Sequence, residues 1–188
     1  MQPIALQLGR LELRDLTGAD RAAFVRYQTD PHYLRLYDFE GGAERPDRLF
    51  DLFLEWQREQ PRTNFQLGIF EAASGRLLGC GGLRKAGETS AVLGIELAPG
   101  EWGRFRLAID AAIALLRFAF QTLGVETVIG DTASGNRRIE KLASWFGAEL
   151  VDRREGPAWM QARGWQEVDW SLSRSQWQRT RKRLGRGS

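Results

Sequence analysis

The sequence predicts an α/β (α+β) protein: a mixed, mostly antiparallel twisted sheet with helices on both faces. Three observations carry that expectation. Residues 64–98 read as three period-two strands joined by short turns, which makes an antiparallel meander. Residues 107–121 are apolar almost all round, as in a helix packed on a sheet and covered on its other side. From there strands and helices alternate to the end of the chain, which a sheet layered with helices satisfies. At 188 residues, with 43% hydrophobic and 11% aromatic side chains, the chain suits a single core and carries no disorder signature.

Taken in order, residues 8–16 (LGRLELRDL) alternate apolar and polar and read as a strand. Thr17, with Asp20 three residues on, offers a capping box for a short helix through Phe24, Val25, Tyr27 and Gln28 that stops before Pro31. Pro46 sits in the first turn of a second helix running to about Gln60, with Leu49, Phe50, Phe53 and Leu54 as its apolar stripe. Strands follow over 65–69, 77–83 and 91–98, with turns at 73–75 and 85–89. After the apolar helix, 125–130 reads as a strand, 136–146 as a helix closed by Gly147, and 149–152 and 165–172 as strands. One domain is expected over 1–177, and a basic, flexible tail over 178–188.

Charge supports that division. The net charge is +3, but 171–188 holds six bases and no acid, leaving 21 bases against 24 acids elsewhere, a net of −3. A basic tail on a mildly acidic body fits a solvated terminus or a weak polyanion contact, not a nucleic-acid-binding domain. The longest apolar run, 107–120, is too short for a membrane span and contains Asp110 and Arg117. No basic-then-apolar leader opens the chain. One cysteine, Cys80, and one histidine, His32, give neither an internal disulfide nor a Cys/His zinc site. A cytoplasmic setting, no membrane partner and no metal are therefore expected.

The stretch GIELAPGEWGRFRLAIDAAIALLRFAF, from Gly94, resembles the central motif of the GNAT N-acetyltransferases, in particular the RimJ/RimL-like branch. There a strand of the form G-Y-E-L-A-P precedes W-G-K-G-Y-A and a long helix. The FQLGIFEAASGRLLGCGGL hairpin, Asp30-Pro31, Asn136 eleven residues before Gly147, and the closing WQEVDWSLSRSQW fall where that family has corresponding elements. The resemblance covers residues 8–177 and implies the GNAT fold. It also implies transfer of an acetyl group from acetyl-coenzyme A to an amine acceptor, a small molecule or a protein N-terminus. The alternative is a GNAT-fold binding or scaffold module without transfer. The sequence assigns no oligomeric state.

What the resemblance implies for individual residues follows. The strand ending at Leu97 and Ala98 splays from the strand at 125–130, freeing main-chain groups for the pantetheine amides. The loop of Trp102, Gly103, Arg104, Phe105, Arg106 and Leu107 holds the pyrophosphate on main-chain N–H groups at a helix N-terminus. Phe105 and Leu107 depart from the pattern, occupying positions that are usually Gly and Gly or Ala, and so narrow the approach. Glu96 is the candidate base, with Asp131 and Glu126 less suited. The positions that would protonate the leaving thiolate are Ala143 and Ile139, which cannot donate, so Ser144 stands in, with Ser134 and Thr132 behind it. Asn136 is expected both to contact pantetheine and to cap its helix.

Bland readings are preferred elsewhere. Cys80 reads as a small core residue, His32 as a loop histidine, and Arg137 and Arg138 as surface cations with a possible phosphate contact. Tyr33, Tyr37, Phe39 and Trp56 belong to the acceptor side, where Asp38, Glu40 and Glu44 would suit a cationic acceptor.

Overall fold

A computed structural model describes residues 3–36 and 44–185; Tyr37, Asp38, Phe39 and Glu40 lie outside them. Eight strands pair in the order β1-β2-β3-β4-β5-β6-β8-β7, and helices accompany them, which is the mixed, mostly antiparallel arrangement expected. By compactness the chain divides into a unit of residues 1–84 and 95–115 and a unit of residues 85–94 and 116–188.

The first unit opens with a hairpin where one strand was expected. Gly9, at φ 57°, turns the chain between β1 (Ala5–Leu8) and β2 (Leu11–Asp15). The alternation in 8–16 continues across that turn, which is why it reads as a single run. The capping box forms as expected: Asp20 accepts the Thr17 N–H at 2.7 Å, and Arg14 fastens the same carboxylate at 2.9 and 3.0 Å. That start sets the phase of α1 (Arg21–Gln28), whose buried residues Phe24, Tyr27 and Gln28 fall at i, i+3 and i+4. A further helix, α2 (Pro31–Leu36), was not foreseen; Asp30 accepts the His32 N–H at 2.7 Å at its start, and Tyr33 is buried. In α3 (Arg45–Trp56) Phe50 and Phe53 turn inward and pack around Phe24, at ring-centre distances of 5.3 and 5.8 Å.

The meander is β3 (Asn64–Glu71), β4 (Leu77–Lys85) and β5 (Ser90–Leu97). β3 and β4 are antiparallel, with one extra residue where the register shifts between Ile69 and Phe70, so that Gly79 faces Ile69 and Leu77 faces Phe70. A 3₁₀ turn over Pro99–Glu101 leads to α4 (Phe105–Arg117). The helical run then widens into a π turn over Phe118–Thr122, closed by the Leu123 N–H on Phe118 O at 3.0 Å.

In the second unit, β6 (Thr127–Ala133) pairs antiparallel with β8 (Gln166–Ser173), which pairs antiparallel with the edge strand β7 (Glu149–Glu155). Between them, α5 (Arg137–Phe146) ends on Gly147 at φ 75°, as its sequence predicts. A short helix, α6 (Ala158–Gln161), was not foreseen. The boundary expected after Trp177 falls inside α7 (Arg174–Gly185). Trp177 stacks on Phe120 at 6.2 Å, and Thr180, three residues on and buried, donates to Phe146 O at 2.8 Å. A basic composition hides these two inward positions from sequence reading. Arg174, at the start of α7, donates to Phe120 O and Val125 O at 2.7 and 2.6 Å, satisfying one carbonyl within the π turn and one just beyond it. No helix among the described residues is long and apolar enough to cross a membrane.

Candidate active site

Glu96 is the centre of a polar cluster set in an aromatic core. Tyr27 donates to its Oε1 at 2.6 Å, Gln28 to the same oxygen at 2.7 Å, and Tyr33 to Oε2 at 2.5 Å. Each donor is placed by a different physical cause. Tyr27 is held edge-on by Phe24 at 5.3 Å, Tyr33 packs edge-on against Tyr27 at 5.8 Å, and Gln28 follows Tyr27 in α1 and is itself almost wholly buried. Gln28 uses its amide oxygen too, accepting from Arg45 at 3.4 Å. Burial raises the pKa of the Glu96 carboxyl above its ordinary value, and although the Tyr27, Tyr33 and Gln28 bonds and the Arg45 charge oppose it, the upward direction wins. Cys80 lies in the same core with no exposed surface, the small core residue its strand predicts; burial and then the Glu96 charge push its thiol up, so it stays protonated.

The loop before α4 is organised by Glu101. Its carboxylate is almost fully buried yet accepts from Arg76 and Arg104 at 2.5 and 2.6 Å. Burial would raise its pKa, but the two guanidinium groups hold it below the ordinary 4.5. A depressed carboxylate stabilises the fold above pH 4.5, and that contribution is lost as pH falls through the lowered value. Melting temperatures of the wild type and Glu101→Gln are therefore expected to differ at neutral pH and to converge in acid. A constant difference across the titration would remove the ion pairs as its cause.

These pairings engage the two arginine side chains of the loop. Arg104 is bound to Glu101, and Arg106 pairs with Asp110 one turn along at 3.0 Å, so neither is a bare charge. Main-chain donors remain. The N–H groups of Arg104, Phe105 and Leu107 are taken by Glu101 O, Gly103 O and Arg104 O, whereas those of Gly103 and Arg106 are left without an acceptor among the described residues. Gly103 has φ 91° with open space where a Cβ would stand, so an anion could approach these amides. Phe105 and Leu107 are both partly buried. At the end of β5, Leu97 O accepts from the Trp102 indole at 2.8 Å and the Ala98 N–H donates to Leu78 O at 2.8 Å, so these two groups are already engaged. The parallel pairing of β5 with β6 covers Ser90 to Val92 against Thr127 to Ile129 and ends there, although β5 runs on to Leu97 and β6 to Ala133.

The family model described as Acetyltransferase (GNAT) domain matches residues 10–149. The chain belongs to this family. Solved structures share the GNAT fold at low identity. An acetyltransferase from Agrobacterium tumefaciens is 22% identical, with TM-score 0.72, over 93% of this chain and 96% of its own. A Vibrio cholerae protein titled as a ribosomal-protein-serine acetyltransferase is 19% identical, with TM-score 0.71, over 92% and 99%. A chimera of spermidine N-acetyltransferase SpeG from Vibrio cholerae with hSSAT is 18% identical, with TM-score 0.73, over 90% and 98%.

The remaining GNAT site expectations divide. Asn136 is buried at the N-cap position of α5, but its side chain makes no capping bond; its main chain, at φ −83° and ψ 74°, does the joining, so the capping half of its expected role is corrected. Ser144 is exposed on α5, and its carbonyl accepts the Gly147 N–H at 3.0 Å. The Ser134 hydroxyl accepts the Gln166 N–H at 3.0 Å. Glu126 is tied to Arg174, Asp131 is exposed, and Arg137 pairs with Glu140 on the surface. His32 is exposed beside Asp30, Trp56 packs on Phe53 at 5.4 Å, and Glu44 pairs with Arg48 at 3.6 Å on the surface.

Sequence reading missed Tyr27, Gln28 and Glu101. Tyr27 and Gln28 looked like ordinary members of a short helix, and nothing in the sequence sets the Glu101 side chain apart from its loop. The one available signal was the i, i+3, i+4 set in α1, which placed a glutamine on the face otherwise occupied by Phe24 and Tyr27.

Proposed function

We propose that the chain transfers the acetyl group of acetyl-coenzyme A to a primary amine of a small molecule or protein N-terminus, with Glu96 as the base. The carrying observation is the Glu96 carboxylate: partly buried, with raised proton affinity, and fixed in direction by three donors. An amine that arrives as an ammonium must lose a proton before it can attack, and a carboxylate of raised pKa is a better acceptor for it than an ordinary one. Acetyl-coenzyme A, when bound, supplies an activated thioester carbonyl. The residues fit such a ligand: the unpaired amides of Gly103 and Arg106, at the start of the 13-residue α4, would hold its pyrophosphate. Asn136, buried and without a side-chain cap bond, keeps an amide for a ligand such as pantetheine. Ser144 keeps a hydroxyl for the leaving sulfur.

The RimJ/RimL-like branch is our finer assignment. It rests on the E-L-A-P and W-G segments and is in keeping with the fold shared with a protein titled as a ribosomal-protein-serine acetyltransferase. An amine acceptor is in keeping with the spermidine N-acetyltransferase neighbour. Calorimetric titration of acetyl-coenzyme A is expected to give a Kd on the order of micromolar, about −8 kcal/mol. Ligand at about 100 times Kd should then stabilise the fold by about 2.7 kcal/mol, read as a rise in melting temperature. Absence of binding at millimolar ligand would overturn the transferase reading and leave a scaffold.

A further inference from the structure

A carboxylate has two oxygens and about four lone-pair positions. In Glu96, Oε1 spends both of its positions on the Tyr27 hydroxyl and the Gln28 amide, and Oε2 spends one on the Tyr33 hydroxyl. Among the described residues nothing takes the second position of Oε2. We infer that Tyr27, Gln28 and Tyr33 are positioning residues which leave Glu96 one proton-accepting position, on Oε2 beside the Tyr33 hydroxyl.

This deepens the base role proposed above and rests on it. The proton step is then defined by atom. An N–H bond of the acceptor ammonium breaks, its electron pair stays on nitrogen, and the proton forms an O–H bond on Oε2. Glu96 becomes a neutral carboxylic acid and the acceptor a neutral amine. The three donors serve this in two ways. They forbid rotation of the carboxylate, because turning it would strip Oε1 of two bonds at once, and they stabilise the charged form, because a hydroxyl donates more strongly to a carboxylate than to an acid. Other titratable groups face Glu96 from every element packed on it: Tyr27 from α1, Tyr33 from α2, Arg45 from α3 and Cys80 from β4. Burial holds the Tyr27 hydroxyl and the Cys80 thiol in their neutral forms, so neither competes for the proton.

The test compares the full-length wild type with Tyr33→Phe, following the Glu96 carboxyl by carbon NMR in the resting protein and the pH profile of kcat/KM with acetyl-coenzyme A and an amine. Loss of one donor is expected to move the Glu96 titration, and with it the acidic limb of the rate profile, to higher pH by about one unit. Tyr27→Phe, which removes a donor to the other oxygen, should move both in the same direction and serves if Tyr33→Phe does not fold. A Glu96 resonance that titrates at the wild-type pH in both folded variants overturns the inference. A shifted resonance beside an unmoved rate limb upholds the clamp and overturns the base role.

Discussion

Glu96→Gln is expected to lower kcat by roughly 10²–10³-fold while leaving the Kd for acetyl-coenzyme A within about twofold, as measured by thiol release and calorimetry. Glutamine keeps the shape and the hydrogen-bonding reach of glutamate but has no oxygen that can take a proton near neutral pH. The coenzyme contacts proposed for Gly103 and Arg106 lie in the loop and are not made by this side chain. Loss of rate with retained binding would mark a proton-transfer role. The same variant carries a second, opposite signature in its stability. Because burial raises the Glu96 pKa in the folded protein, the folded state prefers the protonated form, and stability falls as pH rises through the raised value. Gln, neutral at all pH, escapes that loss. The variant should therefore melt no lower than the wild type at pH 7, and its advantage should fade below the ordinary glutamate value of 4.5. A slow enzyme that is also markedly less stable at neutral pH would mean that the rate was lost to misfolding, not to the missing base.

The elements legible in the sequence are those whose signal is local. The apolar run of α4, the Thr17–Asp20 box, Pro46 at the head of α3 and Gly147 at the foot of α5 each specify a backbone state through side chains within one or two turns. What escaped depends on partners far along the chain. α7 is helical because Trp177 meets Phe120 and Thr180 meets Phe146, contacts 57 and 34 residues apart that no window over a basic tail reveals. The β1–β2 hairpin was hidden for a different reason, since alternation survives a tight turn.

The site divides in the same way. Glu96 and the Gly103 loop were singled out through a linear motif, and two amides of that loop have no acceptor among the described residues despite Phe105 and Leu107. Their partners were not found, because Tyr27 and Gln28 reach Glu96 across 69 and 68 residues. The sequence around Arg104 shows a cation in the loop but not the buried Glu101 carboxylate that engages it. Sequence shows which charges exist; only the fold shows which are already spent.

Gly79→Ala should be the most damaging single methyl group in the first unit. A Cβ on Gly79 would stand 2.2 Å from the carbonyl oxygen of Glu96 and 2.8 Å from the Cα of Leu97. Both are main-chain atoms, so no side-chain rotation relieves the contact, and β4 or β5 must move. The site has little slack: the β3–β4 register shifts beside it, and the next residue back, Leu78, accepts the Ala98 N–H at 2.8 Å. Overpacking of this kind costs about 1–3 kcal/mol, read as a lowered melting temperature. Moving β5 also moves the Glu96 backbone while Tyr27 and Tyr33 stay anchored in α1 and α2, so the carboxylate loses its alignment with its donors. A misplacement of about 1 Å is enough for a fall in kcat on the order of 10²-fold. Gly18→Ala, where a Cβ would meet nothing within 4 Å, supplies the comparison and should leave both quantities nearly unchanged. If Gly79→Ala melted and turned over like Gly18→Ala, the spacing of β4 and β5 could not be what holds the proposed base in place.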